Sequence, residues 1–429
     1  MFGFANFLLL ALFAAAVFDL IFALARGDGL RGALHGLWNT PHLLFGQQLA
    51  EWRLQLGRIL FAAGLAAYEI SVVFCNSMAR QNWAWVQGVM SPVLEWLAFL
   101  CFGAKILFGT RYTWRELLAG GALYFIARWV YFNSQNIWWI GIVVAVLAAK
   151  DVPLRRPLQV YFASGCAAMA VVLALHFAGI VAPDLTSERM GALRGTYGYG
   201  HPNTFGGLVF GLVLAYALLR AQKVRWVDCL LVFAIGVFLL VGPASRSAAL
   251  CTLALAVGLV FCRLRAGHSV PRWWPGTCAG MVGLTAAVSY LLPLLVIKVG
   301  PWNNDIGPAW LAKLDSLLTC RISLTWMAYR LLDVKIAGQV FNWPTVDNSF
   351  AFALFQFGPV GSALLGSLFA AALWGHAKQG RRVEVCCLFA MLAYAYMEVQ
   401  PFHLTTNPTA LLLCGAVFAQ TSARWQKIE

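Results

Sequence analysis

Three arginines and two carboxylates stand out as residues that could do chemistry: Arg194, Arg246, Arg321, Asp347 and Glu398. Each lies beside or between apolar runs, and Arg246 opens one, where a charge is costly and usually faces a polar cavity or reaches to the interface. The arginine fork binds phosphate or carboxylate through two parallel hydrogen bonds and stays charged at every physiological pH. A carboxylate held among arginines is expected to keep a low pKa, yet it can still take a proton from a hydroxyl in a transition state. Together they would suit an anionic, phosphate-bearing substrate and an incoming hydroxyl nucleophile. His201, Asn203 and Asn348 lie next to these groups and could bind the same substrate.

Each residue also has a structural reading. Pro202 and Asn203 could start a helix, and Asp347 and Asn348 could cap one. Arg246 could snorkel from the end of an apolar span. The 183–202 loop has four glycines between Gly191 and Gly200, which allow tight turns beside Arg189, Arg194 and His201. The joint placement of these loops decides between the readings. It depends on the elements that carry them.

Those elements are apolar. The 429 residues are 61% hydrophobic and 11% charged, with a mean hydropathy of +0.73. Soluble domains carry about 25% charged residues. About thirteen apolar segments are predicted, at 3–25, 58–78, 91–110, 115–132, 135–149, 158–182, 203–221, 226–243, 246–263, 277–298, 349–374, 383–400 and 403–421. Fusion of the fourth and fifth into one kinked hairpin would leave twelve. A span needs roughly 20 apolar residues, so the expected fold is all-α: a polytopic bundle of 12–13 membrane helices forming one integral membrane domain over 1–429. The 18 Trp suit interfacial belts and the 39 Gly suit close helix packing. The first run lacks a basic leader and a cleavage site, and reads as a retained span.

The net charge of +14 comes from basic residues in short connections on alternate sides, such as Lys150–Arg156, Arg220–Arg225, Arg263–Arg272, Lys378–Arg382 and the tail with Arg424 and Lys427. That is the positive-inside pattern, and it argues against a nucleic-acid partner. It places the 183–202 loop, the 243–246 turn, a long 299–348 loop and the 398–407 turn together on the outer face. Helical spacing of Trp310, Leu311, Leu314, Leu317, Leu318 and Ile322 predicts short helices within the long loop. The 11 Cys show no metal or disulfide spacing and read as small buried hydrophobes. Asp305, Asp315 and Asp333 are scattered, so no metal and no cofactor is expected.

Four segments in order carry a resemblance: GYGHPNTFGG (198–207), GPASRSAAL (242–250), LDSLLTCRISL (314–324) and VDNSFAFALFQFGPVG (346–361), followed by Glu398 and Asn407-Pro408. From about residue 190 to 415 the chain resembles bacterial O-antigen and capsular polysaccharide polymerases of the Wzy type, within the O-antigen ligase/polymerase superfamily. The first half is similar only in hydropathy. Cys320 stands where the family usually has Gly, and Asp347 where the ligases usually have His. The resemblance implies a GT-C-like fold and a metal-independent, inverting glycosyltransferase in the bacterial cytoplasmic membrane, with its site on the extracytoplasmic face. Donor and acceptor would both be glycans on undecaprenyl pyrophosphate, and a flippase and a chain-length regulator would be partners. It implies that Arg246 and Arg321 hold pyrophosphate with Arg194 assisting, and that Asp347 is the base, with Glu398 and His201 as alternatives. An O-antigen ligase shares the donor and the arginines. A lipid-linked oligosaccharide transporter is the reading from another class, though it would favour midplane charges and repeated halves.

Overall fold

Apolar runs long enough to satisfy their own backbone become helices, since in hydrocarbon no water is present to pair N–H and C=O groups. The computed structural model describes residues 2–25, 29–46, 48–181, 187–189, 192–297 and 306–418, without the side chains of 187–189, 192 and 193. In chain order its helices are α1 (Phe2–Ala25), α2 (Gly29–Asn39), α3 (Ala50–Cys75), α4 (Ala79–Asn82), α5 (Ser91–Phe108), α6 (Trp114–Ser134), α7 (Ile137–Ala148), α8 (Arg155–Phe177), α9 (Pro202–Leu219), α10 (Trp226–Val241), α11 (Arg246–Leu264), α12 (Trp274–Leu291), α13 (Ala309–Leu317), α14 (Arg321–Leu331), α15 (Ser349–Gln356), α16 (Gly358–Lys378), α17 (Arg382–Met397) and α18 (Cys414–Val417). A π turn, Val86–Met90, leads into α5, and a 3₁₀ turn, Leu292–Leu295, extends α12. The described strands are short antiparallel pairs: β1 (His42–Leu43) with β2 (Arg111–Tyr112), and β3 (Ser187–Arg189) with β4 (Ala192–Arg194).

Eight of the described helices are long and apolar enough to cross a membrane: α1, α3, α5 with its π turn, α8, α9, α11, α12 with its 3₁₀ turn, and α16. Large apolar side chains face outward along them, among them Phe7, Leu10, Phe13, Val257, Leu284 and Leu291. Surfaces of this kind are unfavourable in water and are what hydrocarbon would cover, so the helices suggest a multi-pass membrane protein.

The count of eight differs from the expected twelve or thirteen for local reasons. Helix α6 has the length, 21 residues, but carries Arg115, Glu116 and Arg128. Helices α7, α10 and α17 have 12, 16 and 16 residues. The segment expected at 349–374 is two helices, broken where Gly358 takes a left-handed φ of 69°. The last expected segment is a 3₁₀ helix, Pro408–Leu413, followed by the single turn of α18; 419–429, with Arg424 and Lys427, lies outside the described residues. The long loop at 299–348 does carry short helices, α13 and α14, but its residues 299–305 also lie outside those described.

Aromatic side chains fill the bundle centre, where Phe61, Phe99, Tyr124, Trp139, Phe210 and Tyr394 are fully buried. At one end lie Lys105, Glu116, Lys150 and Asp151. Lys150 Nζ stands 3.2 Å from Glu116 Oε1 and 3.3 Å from Asp151 Oδ1. The opposite end gathers the starts of α9, α11, α14 and α15 and the end of α17.

Candidate functional site

The α13–α14 corner positions Arg321. Thr319 and Cys320 both take left-handed backbone conformations, each at φ 62°. This costs strain for non-glycine residues. Asp315 holds the corner: its Oδ1 accepts from the backbone N–H of Ile322 at 2.8 Å and of Ser323 at 3.1 Å, and its carbonyl accepts from Cys320 N at 2.8 Å. The corner divides the short helices expected in this loop into α13 and α14, with Arg321 the first residue of the second.

From there Arg321 Nη2 donates to Glu398 Oε1 at 2.7 Å, and Nη1 donates to Leu318 O at 3.0 Å. Both partners are buried, at 8% and 5% exposure. Glu398 is the residue after α17, where the helix gives way to extended backbone. Its Oε1 also accepts from Asn203 Nδ2 at 3.0 Å, and the Ser247 hydroxyl hydrogen-bonds its carboxyl. Asn203, in the first turn of α9, turns its Oδ1 to Arg194 Nη2 at 3.0 Å and to Ser245 Oγ at 3.4 Å. Arg194, at the end of β4 and also buried, reaches Ala244 O at 3.2 Å. A single connected cluster thus runs Arg321–Glu398–Asn203–Arg194, built from four separate stretches of chain.

Close helix approach makes this possible. A Cβ on Gly206 would overlap the Ser245 side chain, and one on Gly207 would overlap the Gln400 amide and stand 2.7 Å from the Tyr394 hydroxyl. The two glycines that end the 198–207 segment let α9 lie against the 245 turn and the 400 turn.

Burial is the largest influence on Glu398 and raises its carboxyl to about 7, against the lowering by Arg321, Ser247 and Arg194 and with a further push from Asp347. A carboxylate kept low by neighbouring arginines is not what the structure holds: withdrawal from water outweighs them.

The remaining predicted residues are placed differently. Asp347 is half-buried just before α15, within electrostatic range of Glu398, and makes no hydrogen bond or ion pair with a described residue. Arg246 opens α11 between Ser245 and Ser247, but its side chain is exposed. His201 is the N-cap of α9, its Nδ1 accepting from Asn203 N at 3.1 Å. Asn348 is the N-cap of α15, accepting from Ala351 N at 3.0 Å and donating to Ser289 Oγ at 3.1 Å and Tyr396 O at 3.0 Å. Its polar atoms are engaged in the fold, as the capping reading expects. Asn407 likewise caps its 3₁₀ turn through Ala410 N at 3.2 Å. Arg189, named with the same loop, has a side chain outside the described residues.

An apolar cavity of about 620 Å³ adjoins the cluster. Small residues on α12 and α16 open it, including Ala279, Gly283, Ala363 and Gly366, and Ser349 and Phe402 line it too. Ser349 Oγ donates to Glu398 O at 2.5 Å, so one wall of the cavity is bonded to the backbone of Glu398. Ser247, Ser349 and the cavity were not singled out in the sequence, and Asp315 was named there only as a scattered carboxylate. The serines flanking Arg246 were a visible signal, whereas Asp315 has none beyond lying six residues before Arg321.

Among the described residues no group of three His, Cys, Asp or Glu side chains is arranged to hold a metal ion. Comparison of the chain with protein-family models, curated proteins and solved structures finds no match.

Proposed function

We propose that the chain is a multi-pass membrane glycosyltransferase of GT-C-like architecture that polymerises undecaprenyl-pyrophosphate-linked oligosaccharide repeat units. It would work at the extracytoplasmic face of the bacterial cytoplasmic membrane. The observation that carries the reading is the buried Arg321–Glu398–Asn203–Arg194 cluster beside an apolar cavity of about 620 Å³. A polyprenyl pyrophosphate joins those two chemistries, an anionic head and a hydrocarbon tail. Cavities of roughly 300–1,000 Å³ are the usual size for bound small molecules.

In this scheme Arg321, helped by Arg194 and by Arg246 from the rim, holds the pyrophosphate as charge grows on it. The acceptor hydroxyl attacks the anomeric carbon. The new C–O bond forms as the bond to pyrophosphate breaks, and the hydroxyl proton passes to Asp347. Glu398 is engaged by Arg321 and Asn203, whereas Asp347 has no bonded partner among described residues, which favours Asp347 as the base. Displacement of this kind inverts the anomeric centre. A flippase delivering the repeat unit and a chain-length regulator would be its partners in the cell.

The test is reconstitution of the purified protein with its lipid-linked repeat unit in EDTA. A ladder of lengthening glycans is expected. Product formed only after lipid A core is added would make the protein a ligase instead. Movement of the lipid-linked unit across the vesicle membrane without any new glycosidic bond would replace the reading with a transporter.

A further inference from the structure

The Arg321–Glu398 pair contains its own substitute ligand. Arg321 is more than nine-tenths buried, and its Nε finds no hydrogen-bond acceptor among described residues. Arg321 Nη2 and Asn203 Nδ2 converge on one point, Glu398 Oε1, at 2.7 and 3.0 Å. Convergent donors of this kind are how proteins hold an oxyanion. The oxygen at that point belongs to the chain itself.

We infer that Glu398 is an internal stand-in anion, which holds the Arg321–Asn203 donors and yields them to a phosphate-type ligand by taking up a proton from solvent. The choice of ligand rests on the reading of Arg321 as a pyrophosphate contact. A ligand oxygen drawn to Arg321 would stand close to the Glu398 carboxylate in a site withdrawn from water, where like charges repel strongly.

The surroundings fit such an exchange. Facing Glu398 are Arg321 from α14, Arg194 from β4, the Asp347 carboxylate before α15, Ser247 and Cys251 from α11, and Tyr394 from α17. Two cations attract an added anion, while Asp347 and burial both favour the neutral acid. The carboxyl, raised to about 7, is placed to change charge near neutrality. Protonated, it still accepts from Asn203 through its carbonyl oxygen and releases the Arg321 fork.

Calorimetric titration of the full-length protein with inorganic pyrophosphate near pH 8, in buffers of different ionisation enthalpy, measures proton uptake. Comparison with Glu398→Gln cancels the protons that pyrophosphate itself takes up. Wild type should bind about one more proton per anion than Glu398→Gln, and its affinity relative to that variant should fall about tenfold per pH unit above neutrality. Infrared difference spectra of the wild type should gain a protonated-carboxyl band when pyrophosphate is added, a readout that does not depend on the variant folding. Binding by Glu398→Gln alone would support the inference in stronger form. Equal proton uptake with equal affinity, loss of binding in Glu398→Gln with wild type unaffected, or no binding to either protein would each overturn it. A failed polymer ladder with the proton linkage intact would remove only the polymerase, and a ladder without linkage only the stand-in anion.

Discussion

Arg321 Nη2 and Glu398 Oε1 meet at 2.7 Å although the residues lie 77 positions apart in the chain. Both are buried. A buried ion pair contributes little net stability, because withdrawing each charge from water costs much of what the attraction supplies, yet removing one partner leaves an uncompensated charge.

Arg321→Ala should therefore abolish polymer formation and also destabilise the protein, by roughly 3 kcal/mol. The double variant Arg321→Ala/Glu398→Gln should recover most of that stability and none of the activity. Arg321→Lys should rescue activity poorly, since lysine lacks the fork. Arg246→Ala should lose activity with its melting temperature nearly unchanged, because Arg246 is exposed. Melting curves and glycan ladders of the four variants check this. A double variant as unstable as Arg321→Ala would mean that the arginine matters to the fold through contacts other than Glu398.

The pH dependence of stability follows from Glu398. Its carboxyl lies near 7 in the folded protein, above the ordinary value of 4.5. Between those values the folded protein holds a proton that the unfolded chain has released, so stability is full below the lower value and falls as pH rises to the upper one. The whole effect is roughly 3 kcal/mol. Measured against Glu398→Gln, wild-type stability should decline through this window and level off above about pH 7. A flat difference would mean that the carboxyl stays ionised and that the arginines prevail over burial.

Much of the frame was legible from residue type alone. The predicted segments 203–221, 226–243 and 246–263 lie close to α9, α10 and α11, because local signals bound them: His201-Pro202 at the start of α9, Asp228 in the first turn of α10, and Arg246 after Pro243. The break between α13 and α14 was hidden, since Thr319 and Cys320 take left-handed conformations without the glycine that usually marks them. Asn203 and Glu398 were both visible as polar residues at span ends, but their bond was not, since they lie 195 residues apart. The rise of the Glu398 carboxyl was also out of reach. Sequence shows which charges are neighbours in type, whereas desolvation depends on how completely α9, α11 and α14 close around the group. Glycine at 207 illustrates the same limit: its position in a motif was plain, but its reason is the Gln400 side chain packed against it.

Asp347→Asn separates chemistry from binding. The amide keeps the size of the carboxylate but cannot take the acceptor proton. Transfer should slow by about 10²–10⁴-fold, the usual worth of general base catalysis, while donor binding changes by less than about twofold. Single-turnover kinetics with preformed donor complex would read both. Wild-type turnover in this variant would remove Asp347 from the reaction and leave Glu398, the nearest other carboxylate in the cluster, as the base.

Asp315 tests whether the α13–α14 corner sets the reach of Arg321. Its carboxylate caps two backbone N–H groups at the start of α14, at 2.8 and 3.1 Å, and Arg321 is the first residue of that helix. Loss of an N-cap costs about 1 kcal/mol, too little to unfold a bundle of this size. The consequence should be local. Thr319 and Cys320 would no longer be held in their strained conformations, and the guanidinium would leave its place at Glu398. Asp315→Ala should then lower turnover tenfold or more, since small displacements of a positioning group are costly, while melting temperature falls only slightly. Asp315→Asn, which keeps an acceptor oxygen, should restore most of the turnover. An Asp315→Ala protein with full activity would show that α14 holds Arg321 in place without its cap.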